Sequence, residues 1–462
     1  MRIFLSTASA LALAACAAGP DYVTPPTPQT AAGAFVSTSP AVTAHAVQGD
    51  WWKLYRDPVL DTLIADALAA NTDVRVAAAR IARARASLRG SRSDALPQGQ
   101  VSGGANYGRQ PEGQRAPGAP REDWQIDAGL DVSYEVDLFG RVSRGIEAAR
   151  GDLGAAQADA DAVRVMVVAD TARAYADAAS AAERIALAEH IVALLDKSLD
   201  LTERRRGVGL STRLDTARIG TLRNQRQAVI PPLAAERDAA LYRLAVLTGR
   251  TPAELPEVAK QRSTRLQIDQ PIPVGDGAAL LARRPDVRAA ERRLAAATAR
   301  IGVATADLYP RITLGGSIGS TGNDVGNIFG AGPLRWLTGG LISWNPNIAQ
   351  TRARIAGAEA DSQVALAQFD GTVLGAIRET ETALSAYAHA LERRTALQAA
   401  WNEAEAAVKI ARARHAEGDI DSLQLLDAER TFAETDSDLA AADADISSRQ
   451  IDLFRALGGG WS

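Results

Sequence analysis

The stretch DVRVAAARIARARASL at Asp73–Leu88 returns 213 positions later as DVRAAERRLAAATARI at Asp286–Ile301. The same offset carries Leu96-Pro97 onto Tyr309-Pro310, and an offset near 209 carries Arg205 and Gly209 onto Arg414 and Gly418. Each copy has one order of parts: a short helix, a proline, two alternating strands, one very long helix, a glycine-marked turn and a returning helix. A duplicated hairpin of that shape suggests a wall segment of a tube rather than a pocket for a reaction.

Working outward from the repeat, the chain divides into a signal peptide over 1–15, an N-terminal tether over 16–49, a first repeat over 50–249, a linker over 250–277 and a second repeat over 278–462. The first repeat carries strands near 99–109 and 123–135, a long helix over 142–206 and a returning helix over 211–248. The second carries strands near 311–320 and 335–344, a long helix over 348–415 and a returning helix over 420–457. Both long segments are free of proline, and each would reach on the order of 100 Å at 1.5 Å per residue. Neither has the bulky heptad seam of a free coiled coil. Alanine is the usual small contact, which lets helices pack closely side by side.

Composition agrees with long helices. Ala, Arg and Leu are the commonest of the 462 residues, and aromatic residues make up only 5%. A formal charge of -4 with both signs interspersed leaves no basic footprint for nucleic acid. Residues 1–16 run from a charged start with Arg2 through an apolar stretch to LAAC, too short for a membrane-spanning helix. Cys16 is the only cysteine, so the chain can form no internal disulfide. LAAC resembles a bacterial lipobox, which makes Cys16 the lipid-bearing N-terminus. By the same resemblance, Ala17 permits sorting onward to the outer membrane. A plain signal peptide with an incidental cysteine is the alternative. The Pro/Thr/Ala-rich stretch that follows reads as an extended tether.

No later segment has the roughly 18 apolar residues of a transmembrane helix, so strands would have to do any crossing. Trp124, Ile126, Ala128, Leu130, Val132 and Tyr134 alternate with Gln125, Asp127, Gly129, Asp131 and Ser133. Val101, Ala105 and Tyr107 oppose Ser102, Asn106 and Gly108, while Ile312, Leu314 and Ile318 oppose Thr313, Gly315 and Ser317. On the fourth strand Trp336, Ile342 and Trp344 share a face. A soluble sheet with one buried face gives the same period of two. Lipid on the greasy side is the reading that the lipobox favours. Four strands cannot close on themselves, and an open edge is not tolerated in hydrocarbon, so the chain must oligomerise.

At the helical turns, RRRGVGLSTRLDTAR at Arg204–Arg218 matches RARHAEGDIDSLQLLDAER at Arg412–Arg430, each with Gly to end one helix and Ser or Asp to start the next. With AACAAGPDYVTP from Ala14, DWWKLYRDPVLDTLIADALAANTDVRVAAAR from Asp50, SYEVDLFGRV from Ser133 and ALGGGW from Ala456, the chain resembles the TolC-like outer-membrane factors of tripartite efflux pumps, of the OprM/NodT lipoprotein type. One departure is visible. The first strand-to-helix junction has Phe139-Gly140-Arg141, but the second has Ile348-Ala349-Gln350 where the family usually shows Gly-Arg.

The resemblance implies a mainly α fold with transmembrane β. Internally duplicated long α-helical hairpins form a tunnel, and four strands per chain contribute to a trimeric twelve-stranded β-barrel. It implies a homotrimer in outer-membrane lipid, anchored by covalent lipid on Cys16, with a long periplasmic extension. Its partners are a periplasmic adaptor protein and an inner-membrane transporter, and no nucleic acid or other cofactor is expected. The implied function is a passive exit duct for small molecules such as drugs and toxic compounds. By the same resemblance Leu423, Asp427 and Arg430 line a periplasmic gate. The repeat alignment adds Arg218, which matches Asp427, as a possible latch across neighbouring hairpins. A solvated Asp–Arg pair on one helix face is the plainer reading of the last two gate residues.

Enzyme readings find little purchase. His45, His190, His389 and His415 are scattered without zinc spacing, and charged helix faces are their expected home. GGSIGSTG at Gly315–Gly322 lacks the Lys-Ser/Thr ending of a phosphate loop and sits in a strand pattern. A non-conducting periplasmic scaffold lipoprotein and the exit duct of a protein secretion system stand beside the efflux reading, with an envelope hydrolase behind both.

Overall fold

The computed structural model describes residues 17–26, 29–37, 39–45, 49–109, 111, 113, 117–118, 120–327 and 334–459. The signal peptide and Cys16 lie outside them. In chain order the main elements are strand β1 (Val42–Thr43), helices α1 (Pro58–Ala70) and α2 (Thr72–Ser93), strands β2 (Gln98–Arg109) and β3 (Glu122–Val136), and helix α3 (Arg141–Gly207). Helices α4 (Arg213–Gln227), α5 (Ile230–Leu247) and α6 (Glu257–Lys260), strand β4 (Ile272–Pro273), and helices α7 (Gly277–Arg283) and α8 (Pro285–Ala306) follow. Strands β5 (Arg311–Gly322) and β6 (Leu334–Ser343) and helices α9 (Ile348–Glu417) and α10 (Ser422–Ala456) complete the order.

The returning part of the first repeat is two helices, not one. Pro231 and Pro232 supply no backbone N–H, so the ladder ends at Gln227 and restarts at Ile230 with proline at its first positions, where no donor is needed. The second repeat has no proline there, and α10 runs unbroken for 35 residues.

Contacts divide the chain into two units that cut across the repeats, each repeat giving residues to both. Unit 1 comprises Met1–Pro25, Arg80–Gln157 and Ala289–Asp370. Its centre is a four-stranded antiparallel sheet in the order β2-β3-β5-β6. Register places Val101 opposite Leu130, Leu130 opposite Ile318, and Ile318 opposite Trp336, so one apolar row crosses all four strands. Gln100, Asp131 and Ser317 form the neighbouring row on the other face.

Unit 2 comprises Pro26–Ala79, Ala158–Arg288 and Gly371–Ser462. Its core joins Trp51, Leu60, Ile64, Tyr175, Leu244 and Phe454, with the Trp51 ring stacked on Phe454 at 4.6 Å between centroids. The stretch read as a linker is part of this core: Leu255, Leu266, Ile268, Ile272 and Val274 are all buried in it, because their apolar side chains gain about 2 kcal/mol each by leaving water. β4 pairs in parallel with β1, which fastens the tether as well. Farther along the tether, the backbone N–H groups of Val36 and Ser37 donate to the Glu381 carboxylate at 2.6 and 2.9 Å.

Candidate functional site

Two surfaces carry the residues singled out by sequence. The first is the sheet of unit 1. Every described residue of β2 and β6 is exposed, on both faces. Val101 is 83% exposed and Trp336 74%, so the apolar row has no protein against it within the chain. Within one chain, therefore, neither edge strand has a face buried against another element. Polar side chains on the opposite face bond to one another: Thr321 Oγ1 donates to Asp127 Oδ1 at 2.6 Å, and Ser102 Oγ to Asp131 at 3.4 Å. Leu337 and Leu341, exposed beside Arg335, break that polar face, which alternation on this strand did not reveal. Among the described residues no helix is long and apolar enough to cross a membrane.

The strand-to-helix junctions of the two repeats differ as the sequence foreshadowed. In the first, Gly140 takes a left-handed φ of +77°, and Asp137 accepts from the N–H groups of Val142 and Ser143 at 2.9 and 2.7 Å. Arg141 closes the turn with two bonds to Glu135 at 2.7 and 2.5 Å. In the second, Asn347 Oδ1 accepts from Gln350 N at 3.2 Å, and the missing Gly-Arg is replaced by an asparagine cap.

The second surface is the pair of helical tips in unit 2. α3 ends where Gly209, at φ +80°, lets Leu210 N reach Arg205 O at 2.8 Å and Gly209 N reach Arg206 O at 3.0 Å. α9 ends the same way. Gly418 has φ +84°, Asp419 N bonds Arg414 O at 2.9 Å and Gly418 N bonds His415 O at 3.1 Å. Both are Schellman stops, satisfying carbonyls that a helix end leaves open. Each following helix starts from a capping side chain at the matching position. Asp421 Oδ1 accepts from Gln424 N at 2.8 Å. In the first tip the cap is Thr212, not the expected serine, in a reciprocal box with Asp215. Those bonds from Thr212 hold the Asp215 carboxyl below its ordinary range.

Behind the caps the two tips touch. Arg205 Nη1 lies 3.2 Å from His415 Nε2 and donates to His415 O at 3.0 Å. His415 is 3% exposed, which corrects the expectation of a charged outer face; its position in the last turn of α9 points it at the first repeat. Burial, then Arg205, pushes its imidazole below the ordinary value, while Asp421 pulls it up. Nearby, Glu429 is 2% exposed and accepts from Ser198 Oγ at 2.6 Å, with Arg412 Nε 3.4 Å away. Sequence reading knew Arg205 only as the repeat match of Arg414, and it missed Glu429 and Ser198, because periodicity alone does not mark a buried carboxylate.

Leu423, Asp427 and Arg430 all lie on the exposed face of α10. Arg430 pairs with Glu434 at 3.1 Å, not with Asp427. Arg218 is exposed on α4 and acts electrostatically on Asp215. Among the described residues, Arg218 and Asp427 form no ion pair with each other inside one chain. The histidines remain apart, and no group of three or more His, Cys, Asp or Glu among the described residues is arranged to hold a metal ion.

The model of the outer membrane efflux protein family matches residues 63–250 and 278–459, one match per repeat. Outer membrane protein OprJ of Pseudomonas aeruginosa is 33% identical over 98% of this chain and 94% of its own length. The toluene efflux pump outer membrane protein TtgF of Pseudomonas putida is 31% identical over 99% and 97%. Among solved structures, the outer-membrane channel OprN superposes with a TM-score of 0.89 at 36% identity, covering 96% of this chain and all of that one. With both repeats matched and relatives aligned end to end, the chain belongs to the outer membrane efflux protein family.

Proposed function

We propose that the chain is the outer-membrane channel of a tripartite efflux system, a passive exit duct that makes and breaks no bonds. The observation that carries this reading is the four-stranded sheet, bare on both faces of its edge strands and apolar along one complete row. Two unpaired edges are not stable in hydrocarbon, so closure requires further copies. Three copies bring twelve strands, four from each, enough for a barrel with a wet interior. A periplasmic adaptor and an inner-membrane pump supply cargo and energy. Relatives bear names for toluene and solvent efflux, which favours small organic molecules as the cargo class.

Cys16 is the proposed lipid anchor. Two residues on, Ala18 N donates to Phe139 O at 3.0 Å, and Asp21 pairs with Arg144 at 2.6 Å. These contacts fasten the described start of the chain to the turn after β3. Leu423, Asp427 and Arg430 are the proposed gate, with Arg218 latching Asp427 across neighbouring hairpins. Reconstitution in planar bilayers tests the duct directly. Discrete conductance steps are expected, larger in Asp427→Ala than in the parent. An oligomer that forms no pore would point to the scaffold reading instead, and unchanged conductance in Asp427→Ala would remove the latch.

A further inference from the structure

Unit 2 contains a cavity of about 480 Å³ walled by α3, α9 and α10. Most charges on its wall are already matched. Asp443 accepts from Arg394 Nε at 2.7 Å and faces Arg265 at 3.2 Å, and Arg265 also holds Glu183 at 2.7 Å. Asp436 is the exception. It is 7% exposed, accepts Trp401 Nε1 at 2.5 Å, and has no Arg or Lys nitrogen within ion-pair distance among the described residues. The groups acting on it beyond Trp401 are His190 and, with the opposite sign, Glu405, which is itself paired with Lys409 at 2.9 Å. Burial pushes the Asp436 carboxyl above its ordinary value, and the indole N–H and His190, which act the other way, do not offset it.

The rest of the lining says what kind of cation would fit. A small inorganic cation asks for about six oxygen ligands, and of the three carboxylates on the wall Glu183 and Asp443 are already held by Arg265 and Arg394, which leaves Asp436 alone. Leu187, Leu439 and Ala440 supply apolar surface, and the Trp401 indole supplies an electron-rich ring. That combination suits an alkyl or aryl ammonium, whose diffuse charge is held by a carboxylate and an aromatic face while its hydrocarbon part leaves water. We propose that this cavity binds a monovalent organic cation, its nitrogen against Asp436 and Trp401 and its apolar part against Leu187 and Leu439. Bound there, the ligand ties together three helices of the same unit. The site is separate from the duct reading, since binding to the wall does not require conduction.

The test is calorimetric titration of the full-length protein in neutral detergent with benzyltrimethylammonium, and with phenylacetate as the anionic counterpart. Saturable binding of the ammonium alone is expected, weakened about tenfold or more by Asp436→Asn. The asparagine oxygen still accepts from the indole N–H, so the wall is retained. Ala440→Leu, which narrows the cavity beside Leu439 without touching charge, is expected to weaken binding about tenfold or more and serves as the second variant should Asp436→Asn misassemble. Absence of saturable binding up to about 10 mM, equal affinity for phenylacetate, or unchanged affinity in either variant would overturn the proposal.

Discussion

At their tips the two repeats solve the same local problems with the same parts and differ where they touch each other. Gly209 and Gly418 end the long helices by one hydrogen-bond pattern, and Thr212 and Asp421 cap the next helices from matching positions. Arg205 and Arg414 also match, yet Arg205 reaches across to His415 while Arg414 pairs locally with Asp419 at 3.0 Å. The residue matching Asp419 in the first repeat is Leu210, which offers no such partner. Chain stops and caps obey backbone geometry, which is identical in both copies. Side chains at the seam between the tips have only one counterpart each, so they are free to diverge.

The largest expected effect is on what the repeats share. Leu130 in the first repeat and Ile318 in the second are opposite one another in the apolar row. Leu130→Arg and Ile318→Arg should each cost about 2–4 kcal/mol per copy if that row faces the bilayer interior. Membrane-inserted oligomer should be lost in both, and Ser317→Arg on the other face should be tolerated. Loss in only one of the two apolar-row variants would break the equivalence of the repeats. Next come the glycine stops. At Gly209 and Gly418 an added Cβ meets nothing within 4 Å, so alanine there costs only its left-handed conformation, about 1 kcal/mol in each tip. Hydrogen exchange confined to the tips should report equal loosening.

The smallest effect separates the copies. Because the folded state holds His415 below the ordinary histidine value of 6.5, the unfolded tip takes up the proton first as pH falls. Stability from the neutral imidazole is complete above that value and is lost as pH drops through the lower folded-state value. Protection from exchange, taken relative to the intrinsic amide rate at each pH, should therefore fall at the α9–α10 tip below about pH 6.5 and stay flat in His415→Gln. The first tip has Arg206 at this position and should not respond. Equal pH response in both tips would mean that the Arg205–His415 contact is not the cause.

Much of this architecture was legible because it rests on periodicity and on backbone exceptions. Alternation in β3 placed the greasy face, and absence of proline over 142–206 and 348–415 located the long helices within two residues of their observed ends. The break between α4 and α5 was equally written, in Pro231-Pro232, but a run of otherwise helical residues masked it. What sequence could not give was partnership between distant polar residues. Nothing in the spacing of Ser198, Arg412 and Glu429, or of Trp401 and Asp436, announces that they meet, since each sits on a different helix and ordinary helical faces explain them singly. The same holds for Arg430, whose partner three residues back was one choice and whose actual partner, Glu434, is four residues on.

The central claim is that the bare edges of β2 and β6 are completed by other copies of the chain. Cysteines placed in the middle of both edges, Gly103→Cys with Thr338→Cys or Gly340→Cys, test it by oxidative cross-linking in native outer membranes. Disulfides formed only between copies, in a ladder that stops at three chains, are the predicted result. Cross-linked pairs within one copy, or a protein that stays single at every edge position, would contradict it.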